Sequence, residues 1–256
     1  MGARRLYRVA EAGRIAYLFE QDGEIRRVVG DPLDRWEPGA VRPEGFDGLT
    51  LLAPVMPSKI VAVALNYKAH AAEQGKPLPA EPLIFVKPST CVVGPGEAIR
   101  IPPGVGRVDH EAEVAVVIGR TASHVPARDA AGYLLGVTAL NDVTARELQR
   151  RIGHYTRPKG YDTFAPVGPA IGLGLDPDDV AVRGWVNDEL RQDSSTRDLI
   201  FPVPELVAFI SSIMTLLPGD IITTGTPAGI GPLRPGDTVR VEVAGVGSLA
   251  NPVVQG

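Results

Sequence analysis

The sequence predicts a strand-dominated α+β protein with a few short helices. The 256 residues include 29 glycines and 24 prolines, together about a fifth of the chain against an average of roughly 12%. Hydrophobic residues make up 44% of the chain, so it is globular and its glycines and prolines are expected in turns. Many turns indicate many short strands. The predicted strands and helices do not alternate regularly, which argues against a doubly wound βαβ sheet.

Composition and charge exclude several classes of partner. The net charge is −4 and the basic residues are scattered, so no nucleic-acid partner is expected. No apolar run reaches about 18 residues and no signal peptide is recognisable, so no membrane partner is expected. The single cysteine, Cys91, cannot form an internal disulfide, which fits a cytoplasmic location. Its apolar neighbours predict a buried hydrophobe rather than a nucleophile.

The first fifty residues read differently from the rest of the chain. A hairpin is predicted from strands Arg14–Glu20 and Glu24–Val29, which a Gln-Asp-Gly turn joins. Residues 31–48 contain three prolines and read as loop. We therefore expect a small β-rich N-terminal domain at residues 1–53 and the main domain at residues 54–256.

The main domain shows short apolar runs and a few helical patterns. The predicted strands are Lys59–Leu65, Leu83–Lys87, Glu111–Gly119, Val137–Val143, Val182–Asn187, Leu190–Asp193, Asp220–Thr224, Asp237–Val243 and Val246–Val253. The predicted helices are Asn66–Gln74, Ala127–Leu135, Ala145–Ile152 and Pro204–Leu216. Thr144 is expected to cap the third of these helices. The fourth places on one face Leu206, Phe209, Ile210, Ile213 and Leu217.

Two acids open the strand that begins at Glu111. In a strand, residues i and i+2 point to the same face, so Glu111 and Glu113 project together. Two carboxylates on one face beside a buried run repel each other unless a cation compensates. On these two residues alone, an exposed strand end with two solvated acids is the alternative. The neighbouring His110 would point to the opposite face, where a structural role is expected.

A third acid, Asp142, lies at the end of the apolar strand TALNDV and stands just before a predicted helix. The alternative role for Asp142 is a helix cap. If the strands meet, Glu111, Glu113 and Asp142 form a hard oxygen site of the kind that Mg²⁺ or Mn²⁺ prefers. Zinc is less favoured, because no pair of cysteines or histidines has ligand spacing.

A histidine and an acid share one face of the short helix over residues 66–74. His70 and Glu73 are three residues apart and are therefore neighbours on a helix. A carboxylate beside an imidazole orients it and raises its basicity, as a general base requires. The alternative is a solvated helix face. Gly75 and nearby prolines frame the helix and are typical of a mobile cover.

Other candidates lie at strand ends and in loops. Lys87 ends a buried strand and Lys159 lies in the segment RPKGYDTF, where each can meet an anionic substrate or remain solvated. The segment TTGTPAGIGP (223–232) can offer backbone N–H groups and the Thr226 hydroxyl to an oxyanion. It lacks the lysine of a phosphate-binding loop, and a tight turn is the alternative.

Over about residues 54–254 the chain resembles the fumarylacetoacetate hydrolase superfamily. The stretches that carry the resemblance, in order, are PSKIVAVALNYKAHAAE, PLIFVKP, VDHEAEVAVVIG, NDVTARELQ, KGYDTFAPVGP, QDSSTRDLIFPVPELVAFIS and TTGTPAGIGPLRPGDTVRVEV. Residues 1–53 resemble the small N-terminal domain of the bacterial hydroxyheptadienedioate isomerase or decarboxylase branch. The resemblance implies a mixed β-roll or β-sandwich, a homodimer, and one Mg²⁺ or Mn²⁺ ion per active site. It also implies a role in the catabolism of aromatic compounds.

The resemblance also implies residue roles. The metal-ligand positions are occupied by Glu111, Glu113 and Asp142. The lid dyad that activates water corresponds to His70 and Glu73, and Lys159 is the third expected catalytic residue. The positions that line the substrate pocket hold Lys87, Arg146, Gln149 and Thr226. Gly160 stands where serine is frequent, and His110 where many relatives carry tyrosine; neither departure removes a catalytic group.

The expected substrate is a small 2-oxo acid or an enol dicarboxylate, converted through an enolate that a divalent metal stabilises. Three reactions share this enolate: hydrolysis of an acylpyruvate C–C bond, decarboxylation of a β-keto diacid such as oxaloacetate, and isomerisation. The dyad favours hydrolysis, whereas the N-terminal unit favours the isomerase or decarboxylase branch. A non-catalytic 2-oxo acid binding protein is the alternative of another class, and the complete set of candidate groups argues against it.

Overall fold

A computed structural model describes residues 2–256 and contains mostly strands. The strands are β1 (Arg4–Glu11), β2 (Arg14–Gln21), β3 (Glu24–Gly30), β4 (Trp36–Val41), β5 (Thr50–Leu51), β6 (Ile60–Ala64), β7 (Leu83–Lys87), β8 (Val92–Val93), β9 (Ile99–Ile101), β10 (Val108–His110), β11 (Ala112–Ile118), β12 (Leu134–Asn141), β13 (Thr144–Ala145), β14 (Ala165–Gly172), β15 (Ala181–Val186), β16 (Glu189–Ser195), β17 (Ile221–Thr223), β18 (Gly231–Leu233), β19 (Thr238–Val243) and β20 (Gly247–Gln255). The α-helices are α1 (Lys68–Glu73), α2 (Arg146–Ile152), α3 (Thr156–Lys159) and α4 (Val203–Ile213). The predicted α+β class, dominated by strands, is confirmed.

Three sheets organise the chain. The largest has 12 strands in the order β4-β3-β2-β1-β14-β12-β11-β17-β6-β7, with β5 paired to β1 and β8 paired to β14. A five-stranded sheet has the order β16-β15-β19-β20-β9, and a three-stranded sheet has the order β13-β10-β18. Most pairs are antiparallel, whereas β17–β6, β14–β8 and β20–β9 are parallel, so the architecture is mixed.

The main core lies between the large sheet, the five-stranded sheet and α4. It contains Val114 and Val116 of β11, Val182 of β15, Val241 of β19 and Leu206 of α4, all buried. The strand β11 is buried along its whole length because both of its faces are covered. The ends of β11 and β12 are therefore held rigidly, which matters for the side chains that they carry.

The N-terminal strands extend the large sheet. The predicted hairpin is present as β2 and β3, while β1 and β4 were not predicted. Strand β4 lies within the segment 31–48, which was predicted to be loop. Its Pro38 is compatible with a strand here because β4 is at the edge of the sheet, where a missing N–H is tolerated. Strand β1 pairs with β14 of the main sheet, at Leu6 opposite Ile171. The boundary at residue 53 stays a prediction.

Three local expectations were wrong. Residues 127–135 form a short 3₁₀ helix, Ala127–Tyr133, and then enter β12 at Leu134. Thr144 does not cap α2, because its hydroxyl donates to the carbonyl oxygen of Asp142 at 2.9 Å. On α4 the buried side includes Val203 and Val207, whereas Ile213 and Leu217 are exposed.

No helix in residues 2–256 has the length and apolarity that a membrane crossing requires. This finding agrees with the lack of a long apolar run in the sequence. Cys91 is fully buried and its burial raises the pKa of the thiol to about 11, which fits the predicted role of a buried hydrophobe.

A buried aspartate joins two central strands of the large sheet. Asp220 precedes β17 and accepts hydrogen bonds from the backbone N–H groups of Ser58 at 3.0 Å and Leu217 at 2.8 Å. The oxygen that accepts the Leu217 N–H, Oδ2, also accepts a hydrogen bond from Lys59 Nζ at 2.5 Å, whereas the Ser58 N–H donates to Oδ1. Burial acts to raise the pKa of Asp220, but these hydrogen bonds outweigh burial and hold that pKa below its ordinary value. Asp220 thus fixes the start of β6 against the start of β17.

We predict that Asp220→Asn lowers the free energy of unfolding by about 2–3 kcal/mol, measured by urea denaturation at neutral pH. The amide NH₂ group of the variant cannot accept hydrogen bonds. The N–H or ammonium groups that donate to one carboxylate oxygen of Asp220 therefore lose their acceptor. Since the folded-state pKa is lowered, the stabilisation is present at neutral pH and is lost as the pH falls through that pKa. The difference between wild type and variant should therefore stay constant from about pH 7 to about pH 5 and shrink at lower pH, as Asp220 becomes protonated.

The matched control is Asp193→Asn, which removes an exposed ion pair with Arg183. Its free energy of unfolding should change by less than about 1 kcal/mol. Equal effects of the two substitutions, or a difference that does not depend on pH, would contradict the assignment.

Candidate active site

Three carboxylates meet where β11 and β12 end. Ala112 of β11 lies opposite Asn141 of β12, and Asp142 donates its N–H to the Glu111 carbonyl oxygen at 2.9 Å. Residues opposite each other on antiparallel strands share a face, as do residues i and i+2. Glu111, Glu113 and Asp142 consequently project to one side, and one oxygen from each lies within 4.8 Å of the others. All three side chains are buried.

Three buried cations surround these carboxylates. Lys159, at the end of α3, donates to Glu111 at 2.7 Å and to Asp142 at 2.5 Å. Lys87, at the end of β7, donates to the other oxygen of Asp142 at 2.5 Å. Arg146, at the start of α2, donates to Glu111. Each cation belongs to a different element. Their ion pairs therefore connect β7, α2 and α3 to the paired strands β11 and β12.

The three carboxylates do not share the positive charge evenly, since Lys159 and Arg146 bond Glu111 but not Glu113. Burial disfavours the charged form of Glu111, but Lys159 and Arg146 outweigh burial and hold the pKa of Glu111 below its ordinary value. Burial, followed by the negative charges of Asp142 and Glu111, raises the pKa of Glu113 well above its ordinary value. Glu113 accepts hydrogen bonds from the Thr223 hydroxyl and from the Gly225 N–H, the latter at 3.1 Å, and no cation bonds it.

The chemistry of this donor set fits a divalent metal ion. The burial of Glu113 and the charges of its neighbours disfavour its ionised form. A cation bound by the oxygens of all three carboxylates would offset this unfavourable free energy. Oxygen donors from three carboxylates suit Mg²⁺ or Mn²⁺. Within residues 2–256 this is the one group of His, Cys, Asp and Glu side chains with such convergence.

The histidine and the acid of α1 form a pair beside the carboxylates. His70 Nδ1 and Glu73 Oε2 are 2.8 Å apart, and His70 is buried. The second oxygen of Glu73 accepts the backbone N–H of Gly229 at 2.9 Å, which links α1 to the loop after β17. Gly229 has a φ of +99°, and a Cβ there would lie 2.0 Å from the Arg191 carbonyl oxygen, so only glycine fits.

A cavity of about 290 Å³ joins the two groups. Its lining includes His70, Glu111, Glu113, Asp142, Arg146, Gln149, Lys159 and Thr226. Glu73 is held behind His70, and Lys87 lies behind Asp142, where it also donates to the Lys159 carbonyl oxygen at 2.6 Å. These two hydrogen bonds place Lys87 where it orients Asp142. The contact of Lys87 with substrate stays a prediction.

Sequence reasoning missed a buried glutamine that orders one wall of the cavity. Gln192, on β16, donates to the Thr226 hydroxyl at 2.7 Å and to the Pro227 carbonyl oxygen at 2.8 Å. Its oxygen faces the N–H of Ala112 at 2.9 Å and His110 Nδ1 at 3.1 Å. Gln192 therefore fastens the 223–232 loop to the strand that carries the carboxylates.

A second residue without a sequence signal is Asp109, which is fully buried. It accepts Arg146 Nε at 2.9 Å and Arg107 Nε at 2.6 Å, and so positions the guanidinium that reaches Glu111. His110 is buried outside the cavity lining, and burial lowers its pKa. This placement agrees with the structural role expected for His110.

Residues 59–254 match the family described as "Fumarylacetoacetate (FAA) hydrolase C-terminal". An uncharacterized protein of Archaeoglobus fulgidus is 51% identical over 217 residues, which cover 82% of this chain and 87% of the relative. The mitochondrial oxaloacetate tautomerase fahd2 of Xenopus laevis is 40% identical over 219 residues, with 80% and 69% covered.

Solved structures share the fold over almost the whole chain. The 5-carboxymethyl-2-hydroxymuconate delta-isomerase of Mycobacterium smegmatis has a TM-score of 0.90 and 44% identity, with 98% of this chain and 100% of that chain covered. The maleylpyruvate hydrolase of Sphingobium sp. SYK-6, in complex with manganese (II) ion and pyruvate, has a TM-score of 0.80 and 32% identity, with 98% and 99% covered. The coverage includes the N-terminal strands.

We predict that Gln192→Leu lowers the free energy of unfolding by about 2–4 kcal/mol in urea denaturation. The leucine leaves the Ala112 N–H and the Pro227 carbonyl oxygen without their partner in a buried region. The Thr226 hydroxyl keeps only its hydrogen bond to the Ala112 carbonyl oxygen. Gln21→Leu is the control, because Gln21 is exposed in a hairpin and bonds only its neighbour Asp22. A loss for Gln192→Leu no larger than the control's would refute the role of this residue.

Proposed function

Because this chain belongs to the fumarylacetoacetate hydrolase family, we propose that it is an enzyme that forms and reprotonates the enolate of a 2-oxo carboxylate. The reaction proposed first is keto–enol isomerisation, and the cofactor proposed is one Mg²⁺ or Mn²⁺ ion. The observation that carries the proposal is that one cavity is bordered both by three carboxylates, which form its acidic floor, and by the His70–Glu73 pair. The floor consists of Glu111, Glu113 and Asp142. A binding protein has no use for the His70–Glu73 pair.

The pair supplies a proton acceptor of fixed orientation. Glu73 bonds Nδ1 of His70, which leaves Nε2 as the free nitrogen of the ring. In the enol-to-keto direction, protonated Nε2 donates to C3 of the substrate, and the hydroxyl oxygen at C2 releases its proton to solvent. His70 then takes up a proton from solvent and is ready for the next turnover. The reverse direction removes the proton from C3 and returns one to the C2 oxygen. No net proton is consumed.

The remaining groups hold the substrate and its charge. Glu111, Glu113 and Asp142 would hold the ion, which when bound supplies Lewis-acid stabilisation of an enolate. The ammonium of Lys159 lies beside this floor and offsets the negative charge that develops at C2. Thr226, which Gln192 fixes, and Gln149 offer hydrogen bonds to further substrate oxygens.

Similarity supports isomerisation ahead of hydrolysis. The delta-isomerase structure at 44% identity and the oxaloacetate tautomerase at 40% identity are more similar to this chain than the maleylpyruvate hydrolase at 32%. The same dyad serves isomerisation by moving a proton at carbon. This order reverses the one that the dyad alone favours in the sequence.

Hydrolytic cleavage of an acylpyruvate C–C bond is the second candidate. The observation in its favour is that His70 lines the cavity with a carboxylate partner, the arrangement of a base that activates water. In this reaction Nε2 accepts a proton from water, which attacks the distal carbonyl carbon. The pyruvate enolate leaves and is protonated at C3.

We predict that Glu113→Gln weakens Mn²⁺ binding at least tenfold, measured by calorimetric titration of the purified protein. The amide keeps the shape of the side chain but removes the charge that the ion would balance. Glu189→Gln, at an exposed position, is the control and should bind Mn²⁺ like the wild type. Unchanged Mn²⁺ affinity of Glu113→Gln, in a variant with wild-type circular dichroism, would rule out this metal assignment.

We predict that His70→Ala lowers kcat by about 10²- to 10⁴-fold while Mn²⁺ affinity is retained, because only the proton-transfer group is lost. The assay follows the ultraviolet absorbance of the oxaloacetate enol, with acetylpyruvate and fumarylpyruvate cleavage measured in parallel. His154→Ala, an exposed histidine outside the cavity lining, should keep full activity.

The same panel orders the two candidate reactions. Rapid enol loss from oxaloacetate without cleavage of either acylpyruvate supports isomerisation. Rapid acylpyruvate cleavage with no acceleration of oxaloacetate enol loss supports hydrolysis. Conversion of none of the three substrates, with Mg²⁺ or Mn²⁺ present, would overturn the proposed function.

A further inference from the structure

The charges that line the cavity are sorted by depth. Its acidic residues are Glu111, Glu113 and Asp142, and all are buried at the floor. Two exposed cations, Lys76 and Arg150, also line the cavity and lie at its mouth. The cations of the floor are bonded to carboxylates, as described above. The cavity thus runs from an acidic floor to a basic mouth.

Neither cation at the mouth has an acidic partner within residues 2–256. The other two lysine and arginine side chains that line the cavity, Arg146 and Lys159, each form an ion pair. Exposed lysines and arginines are commonly just solvated. Here, however, two unpaired cations belong to different elements and border the same cavity, which is the arrangement that an anionic group of a ligand needs.

Arg150 stands on the cavity-facing side of α2. It follows Arg146 by four residues and Gln149 by one, and all three line the cavity. Residues four apart lie on the same helix face, one turn from each other. A substrate that extends outward from the floor therefore passes Arg146 before it reaches Arg150.

Lys76 borders the cavity from the segment that follows α1. Its backbone N–H donates to the Ala71 carbonyl oxygen at 3.0 Å. Gly75, with a φ of +62°, makes the turn that directs the chain there. The side chain forms no hydrogen bond in the described part of the protein, so its ammonium is free to meet a ligand.

We propose that Lys76 and Arg150 bind a second carboxylate, so that the enzyme selects 2-oxo dicarboxylates over 2-oxo monocarboxylates. This inference rests on the proposed function of the same cavity. The 2-oxo acid end of the substrate occupies the floor, and its distal carboxylate lies between α1 and α2.

The test compares a dianion with a monoanion in one assay. Enol–keto conversion of oxaloacetate and of acetylpyruvate is followed in Mn²⁺-loaded wild type, in Lys76→Gln, in Arg150→Gln and in the double variant. We expect kcat/KM for oxaloacetate to fall at least tenfold in the double variant, chiefly through KM, since a charge-assisted hydrogen bond to the substrate is lost on each side. For acetylpyruvate kcat/KM should change by less than about twofold, since it has no second carboxylate.

Arg151→Gln is the matched control. Arg151 is exposed on the same helix, next to Arg150, but does not line the cavity. Arg151→Gln should convert both substrates with the kcat/KM of the wild type. This control separates a direct contact with the substrate from the effect of the protein's overall charge. The loss in the double variant should also exceed what added salt alone produces in the wild type.

Two results overturn the inference in distinguishable ways. If wild type converts both substrates and the double variant loses neither, or loses both equally, the distal site is wrong and the proposed function stands. If wild type converts neither substrate, the proposed function itself fails, and the distal site fails with it.

Discussion

The structure depends on how three buried carboxylates are kept together at the ends of β11 and β12. Like charges within 4.8 Å of one another repel strongly at buried positions, where they are poorly screened by solvent. Lys159, Lys87 and Arg146 offset part of this repulsion, and each is itself buried and depends on those carboxylates. Removing any one charge would leave its partners unbalanced, which is costly in a protein interior.

This balance explains the arrangement of the surrounding elements. Strand β7 and helices α2 and α3 each deliver one cation, and Asp109 orients the guanidinium of Arg146 from behind. Glu113 is the carboxylate that no cation reaches, and it is the place where the donor set has room for further positive charge. The same cluster therefore connects the stability of this region with the chemistry proposed for it.

The sequence predicts those parts of the site that follow from local periodicity. The spacing of Glu111 and Glu113 places them on one face of a strand, and His70 and Glu73 are neighbours on any helix. Gln192 and Asp109 carry no such signal, because each lies in a strand beside other polar residues and reads as solvated. Their burial follows from long-range pairing, such as β15 with β16 and β10 with β18.

The fold shows the same division between local and distant causes. The strand-dominated class follows from turns and short apolar runs, and the hairpin of β2 and β3 follows from its Gln-Asp-Gly turn. Strand β1 was missed because its three arginines mask the apolar alternation. The exposed side of α4 was misjudged because the helix ends at Ile213, so the helical period no longer sets the direction of Leu217, and Leu216 is buried in its place.

The most direct test of the central claim is a crystal structure of the protein grown with Mn²⁺ and oxalate, a mimic of the pyruvate enolate. We expect an anomalous peak for one manganese ion that is coordinated by one oxygen from each of Glu111, Glu113 and Asp142, with oxalate bound on the side of His70. A manganese ion bound elsewhere, or no ion at this site at saturating Mn²⁺, would contradict the account.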